Sequence, residues 1–243
     1  MVGFVTLGKI RADAFQAESA ALGAVAAGLT GAELERPSGC PPWTVAGLLG
    51  HIIVAAGRVR QALEAAFDGA AGQPGGTSGD LIGPRGYYRA DHRFSPAVNS
   101  DRIDVAATLA ARVRTPAALT AELRAACEQT LGLLAASPPD TEVRTRHGDR
   151  MLLTDFAVTR VVELGVHGLD LALALDRPSW LTDPAATVLE DLLLPDVSQA
   201  AVLRARLRCD RAGVIARLTG RVPLSAAEQS AVAAVGGIRL ALG

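Results

Sequence analysis

The chain of 243 residues is poor in lysine, in cysteine and in net charge, and each shortage narrows what it can be. Lysine occurs once, at Lys9, against 23 arginines; with abundant alanine, this skew reads as a GC-rich coding bias and carries no functional weight. With 24 basic and 25 acidic residues the formal net charge is -1, so no global field would draw the chain to nucleic acid or to an anionic membrane. Cys40, Cys127 and Cys209 are odd in number, far apart and form no CxxC pair. They exclude a disulfide framework and point to a reducing cytoplasm. The stretch MVGFVTLGKIRADAF lacks the basic start and long apolar core of a signal peptide. Ser19 to Ala32 is too short and too rich in Gly and Ala to cross a bilayer. The run GQPGGTSGD is bounded by no βαβ pattern, which removes a phosphate loop, and no serine sits in a nucleophile elbow.

What is present is apolar and helical. A hydrophobic content of 49% is ample for the core of one large or two small domains. Ile10 to Leu29 has apolar positions at helical spacing and no proline, and predicts a first helix. After CPPW, with Thr44 as N-cap, a long helix is expected to about Phe67. Asp68 to Ser100 is dense in Gly, Pro and Ser and reads as a long loop, either disordered or functional. Val105 to Ala136 predicts a third helical region broken at Pro116, and a turn follows around His147-Gly148-Asp149. Thr154 to Leu175 predicts a fourth helix, with Thr154 as N-cap and Asp155 in its first turn. Beyond Asp176 to Trp180 the pattern changes. Val202 to Cys209 alternates apolar residues with arginine like a half-exposed strand, Asp210 to Leu218 reads as a short helix, Ser225 with Glu228 forms a capping box, and GGIRLALG reads as a closing strand. The expectation is a mainly α chain: an antiparallel four-helix bundle over residues 1–180 with a small α+β C-terminal lobe over 181–243.

The fourth helix carries the chemistry. Glu163 and His167 are four residues apart and share one face, which Asp170 continues. Their neighbours Val161, Val162, Leu164, Val166, Leu169 and Leu171 are apolar, so a carboxylate and an imidazole are drawn into low dielectric and need partners. A metal ion would satisfy both. A single further ligand would make three and leave a position open, the layout of a catalytic zinc site, and N/O ligation also suits nickel, iron or manganese. His51, in an apolar helix, has the same need; His147 competes with it as third ligand, and Cys40 could offer a thiolate. Asp170 and Arg160 are candidates to orient the ligands. His92 sits in a polar loop and reads as solvated.

PPWTVAGLLGHI, followed about a hundred residues later by TRVVELGVHGLDLALAL, resembles the mycothiol-dependent maleylpyruvate isomerase family, whose bundle belongs to the DinB-like metalloenzyme superfamily. The tail VIARLTGRVPLSAAEQSAVAAVGGIRLAL resembles the end of that family's C-terminal lobe, with its Leu-Thr-Gly-Arg signature. The resemblance implies a DinB-like four-helix bundle holding a divalent metal, usually zinc, through one histidine of the second helix and a Glu and a His of the fourth. In this sequence those are His51, Glu163 and His167. It also implies a cytoplasmic enzyme that uses mycothiol, a small thiol, for isomerisation or S-transfer on a small electrophile. Two alternatives are a tailoring enzyme that uses the metal as a Lewis acid without a thiol, and a non-catalytic binding protein on the same bundle. Arg85, Arg89, Arg93 and Tyr87, in the Gly-rich loop, are the candidate contacts to a substrate carboxylate.

Overall fold

The computed structural model of the chain describes residues 2–72, 80–89, 95–238 and 240. Its elements are, in order, α1 (Val2–Ala27), α2 (Gly31–Leu34), α3 (Val45–Gly72), α4 (Pro84–Tyr87), α5 (Pro96–Arg112), α6 (Pro116–Ala136), β1 (Glu142–Arg144), β2 (Arg150–Leu152), α7 (Leu153–Leu175), α8 (Asp183–Leu193), α9 (Gln199–Leu207), α10 (Arg211–Leu218) and α11 (Ala226–Ala234). Helices α1, α3, α6 and α7 pack on one another as a four-helix bundle, and α5 lies along α3. The expected mainly α bundle is what the chain forms.

Local chemistry explains the boundaries. The Thr44 hydroxyl accepts from the Gly47 N–H at the head of α3, and Ser95 and Thr115 cap α5 and α6, each with proline in the first turn. The break at Pro116 is therefore present, although α5 starts at Pro96, earlier than expected. Helix α3 also runs past Phe67, and α4 interrupts the expected loop. Gly50 lets α5 approach α3 closely, since a Cβ there would stand 2.7 Å from the Ala106 carbonyl oxygen.

Two expectations are corrected. Thr154 is not the cap of α7: Leu152 holds that place, because the β1–β2 hairpin runs straight into the helix and Leu153 N–H donates to Thr141 C=O at 2.8 Å. Asp155 does lie in the first turn and pairs with Arg11 at 2.7 Å. Val202 to Cys209 is not a strand but most of α9. Its buried residues Ala200, Leu203 and Leu207 follow helical spacing, and the period-two alternation of arginines was too short to outweigh it. Arg204 turns instead to Glu190 on α8, at 2.9 Å. No strand occurs among the described residues after Leu181. Gly236 to Ile238 is irregular, Ile238 N–H donating to Leu193 C=O; residues 239 and 241–243 lie outside the described part. The short helix after Asp210 and the Ser225–Glu228 capping box are as expected.

Candidate metal centre

Helix α7 is buried on nearly every side, and it faces α3 across the bundle. This crossing brings His51 to Glu163: His51 Nε2 lies 3.1 Å from Glu163 Oε2. One turn along α7, His167 Nε2 reaches the same oxygen at 3.5 Å. The two imidazoles meet edge to face with centroids 4.9 Å apart. The three ligand atoms thus lie within 4.8 Å of one another, in a site where both histidines are buried. Trp43 stacks on His51 with ring centroids 4.7 Å apart and covers one face of the imidazole.

A second layer holds the first. Asp170 Oδ2 lies 2.9 Å from His167 Nδ1 and so fixes which way the ring points. The Asp170 carboxylate receives Arg221, Nε at 3.1 Å from Oδ1 and Nη2 at 3.1 Å from Oδ2. Arg221 itself is steadied by Nη1 donating to Thr219 C=O. Cys40 Sγ donates to Asp170 Oδ2 at 3.2 Å. Cys40, His167 and Asp170 form a second group of possible ligands, but the Arg221 guanidinium already occupies that carboxylate, and a divalent cation there would face a fixed positive charge. On the other side, Arg160 is 1% exposed and well bonded: Nη1 donates to Ala55 C=O, Nε to Thr159 Oγ1, and Nη2 to the Tyr87 hydroxyl. It also lies 4.0 Å from Glu163 Oε1.

The protonation states follow from these contacts. Burial, only partly offset by the bond to Glu163, lowers the His51 pKa to about 4, so its ring is neutral at neutral pH. Burial works against charge on Glu163, yet bonds from His167 and His51 outweigh it and hold the carboxyl well below its ordinary value. His167 is pushed well above its ordinary value against burial, by Asp170, Cys40 and Glu163. Asp170 is held low, burial being overcome by His167 and Arg221.

Of the residues singled out in the sequence, His51, Glu163, His167, Asp170 and Arg160 are brought together. Tyr87 is also there, buried beside Arg160. Arg85 is not: its guanidinium bonds the carbonyls of Asp191, Leu192 and Leu194 at the C-terminal end of α8. Arg89 is exposed and does not line the cavity at the site. Arg93 and His92 lie outside the described residues. His147 lines that cavity but is not one of the converging ligands. Sequence reasoning missed Arg58, Arg102 and Arg146, which line the same cavity. Arg58 was findable, because it follows His51 by seven residues on one helix face. It also missed the role of Arg221, although Arg221 is the arginine of the Leu-Thr-Gly-Arg signature.

A family model described as the mycothiol maleylpyruvate isomerase N-terminal domain matches residues 15–172. No curated protein matches the chain. Among solved structures, the crystal structure of the mycothiol-dependent maleylpyruvate isomerase is similar at 16% identity and a TM-score of 0.45, covering 82% of this chain and 71% of that one. A mutant of that isomerase is similar at 15% identity and a TM-score of 0.44, with the same coverage. With the family match covering most of α7 and all three converging ligands, the chain belongs to the mycothiol maleylpyruvate isomerase N-terminal domain family.

Proposed function

We propose that the chain is a cytoplasmic, metal-dependent enzyme, with zinc as the ion, that activates mycothiol for isomerisation or S-transfer of a small electrophile. The observation that carries this is the convergence of His51 Nε2, Glu163 Oε2 and His167 Nε2 in a buried site. The donor set fits a divalent ion: two imidazole nitrogens and one carboxylate oxygen, desolvated together, with His167 oriented by Asp170 from behind. Without an ion, His51 is neutral and two imidazoles share one carboxylate oxygen, an arrangement costly to bury. When bound, the ion would supply the positive charge that favours thiolate over thiol, whose unperturbed pKa is ~8.5.

The chain's own residues position and shield the reaction. His51, Glu163 and His167 would hold the ion, Asp170 and Arg221 keep the His167 ring in place, and Trp43 excludes water from the face of His51. Addition of a thiolate to an activated double bond makes that bond single and free to rotate. Expulsion of the thiolate restores it, with no net oxidation and no proton consumed. The three cysteines are free thiols, and no helix among the described residues is long and apolar enough to cross a membrane; both accord with a cytoplasmic setting, with a small molecule and a thiol as partners. In this reading residues 1–180 form the metal-binding bundle and 181–243 the lobe that supports it through Arg221.

The test is elemental analysis together with calorimetry. His51→Ala and His167→Ala should each lose most of the bound metal, and the wild-type chain should bind mycothiol more tightly with metal than without. Full metal content in either variant would remove the assigned site. Absence of mycothiol binding to metal-loaded protein would remove the thiol and leave Lewis-acid chemistry.

A further inference from the structure

The segment between α2 and α3 closes on itself before it enters α3. Pro37 bridges Thr44, Ser38 N–H donates to Trp43 C=O at 3.0 Å, and Trp43 N–H donates to Cys40 C=O at 3.0 Å. The Ser38 hydroxyl ties this loop together: it donates to Trp43 C=O at 2.7 Å and accepts from Cys40 N–H at 3.1 Å. A serine that bonds its own loop in this way fixes the backbone at both contacts. Two side chains leave the loop toward two different helices. Trp43 stacks on His51 of α3, its plane 22° from that of the imidazole. Cys40 Sγ donates to Asp170 Oδ2 on α7 at 3.2 Å, the oxygen that also faces His167 Nδ1. The loop backbone lies against the same carboxylate, since a Cβ at Gly39 would stand 3.7 Å from Asp170 Oδ1. One short loop therefore braces both imidazoles, His51 directly and His167 through Asp170.

We propose that Ser38 is a positioning residue that holds His51 and His167 in register about Glu163. Its hydroxyl touches neither ring. By joining Cys40 N–H to Trp43 C=O through one oxygen, it sets the spacing between the two contacts of the loop, and with it the placement of the two Nε2 atoms about Glu163 Oε2. Metal sites need ligand distances correct to about 0.2 Å, and two histidines on separate helices have no covalent reason to meet that tolerance. A brace common to both supplies one. Loss of the Ser38 hydroxyl releases both rings, whereas loss of the Cys40 thiol releases His167 alone. The consequence for an ion rests on the proposed function, but the brace on the two rings stands without it.

The experiment records the imidazole NMR signals of the metal-free full chain, and then its zinc affinity by chelator competition. The chain has four histidines, few enough to assign each signal by substitution. Ser38→Ala should move the His51 and His167 signals and leave that of His147 in place. Cys40→Ala should move His167 more than His51, and Ser38→Thr, which keeps the hydroxyl, should restore both. With zinc, Ser38→Ala should bind about tenfold or more weakly, the scale for loss of a group that supports a ligand, with recovery in Ser38→Thr. Ser137→Ala removes a similar hydroxyl bond, 2.7 Å to Leu133 C=O at the end of α6, and should change neither readout. Unmoved rings in Ser38→Ala, movement of only one of the two, or an equal shift of His147 would overturn the proposal. So would wild-type zinc affinity in Ser38→Ala or an equal loss in Ser137→Ala. A wild-type chain that takes up no zinc removes the metal reading, and the metal-free signals then decide by themselves whether Ser38 braces the two rings.

Discussion

Arg221 grips Asp170 with two guanidinium nitrogens, each 3.1 Å from a different carboxylate oxygen, although the two residues lie 51 positions apart. Both side chains are nearly buried, at 10% and 3% exposure. The last helices of the chain therefore reach back to the group that orients His167. We predict that Asp170→Asn lowers metal affinity by about 10- to 100-fold without abolishing the fold, as loss of an orienting carboxylate does elsewhere. Arg221→Ala should cost more in stability, about 3 kcal/mol, because it leaves a buried carboxylate without its cation. Chelator competition measures the first and urea denaturation the second; unchanged affinity in Asp170→Asn would mean that His167 needs no support.

Glu18 on α1 is fully buried, with Oε2 accepting from the Thr182 N–H and hydroxyl while Oε1 has no hydrogen-bond partner. Burial raises its pKa above 4.5 against those two bonds. The folded state then holds the proton over a range where the unfolded chain has released it. The sign is fixed: this contribution to stability is complete below pH 4.5 and is lost as pH rises through the folded pKa. We predict that Glu18→Gln, which keeps an acceptor for Thr182, unfolds at higher urea than wild type near pH 8 and at a similar urea concentration near pH 4. Parallel stability profiles for the two proteins across that range would refute a raised Glu18 pKa.

How much of this was legible in the sequence differs from residue to residue. Glu163, His167 and Asp170 are written within one helix, where spacing translates directly into a shared face, and the apolar residues around them announce that they are buried. His51 was legible for the same reason, though only the fold could bring α3 to α7. Arg221 was not legible as a partner of Asp170, because no local rule connects a turn after α10 to α7. The strand expected at Val202 to Cys209 failed since eight residues can satisfy two periods at once, and burial of Leu203 and Leu207 decided for helix. Thr154 failed as a cap because a hairpin, itself formed by pairing Glu142 with Leu152, supplied the turn.

Gly50 precedes His51 and touches the backbone of α5. A methyl group there would meet the Ala106 carbonyl oxygen at 2.7 Å, and backbone cannot rotate away as a side chain can. Gly50→Ala should therefore push α5 from α3, with a cost of about 1–3 kcal/mol despite the better helix propensity of alanine. Because His51 is the next residue, metal affinity should fall as well. A variant as stable as wild type, with unchanged metal content, would show that α5 moves freely.

Arg85 separates two roles that a sequence alone leaves together, substrate contact and helix capping. Its guanidinium donates to three carbonyls, Asp191 and Leu192 in the last turn of α8 and Leu194 just beyond, where the helix dipole also favours a cation. We predict that Arg85→Ala lowers stability by roughly 1–2 kcal/mol, the scale of lost bonds to a charged donor at the rim of the structure, and leaves metal content and mycothiol binding at wild-type levels. Urea denaturation and calorimetric titration of mycothiol into the metal-loaded chain read the two effects separately. Loss of mycothiol binding with stability intact would return Arg85 to the candidate site and remove it from the cap of α8.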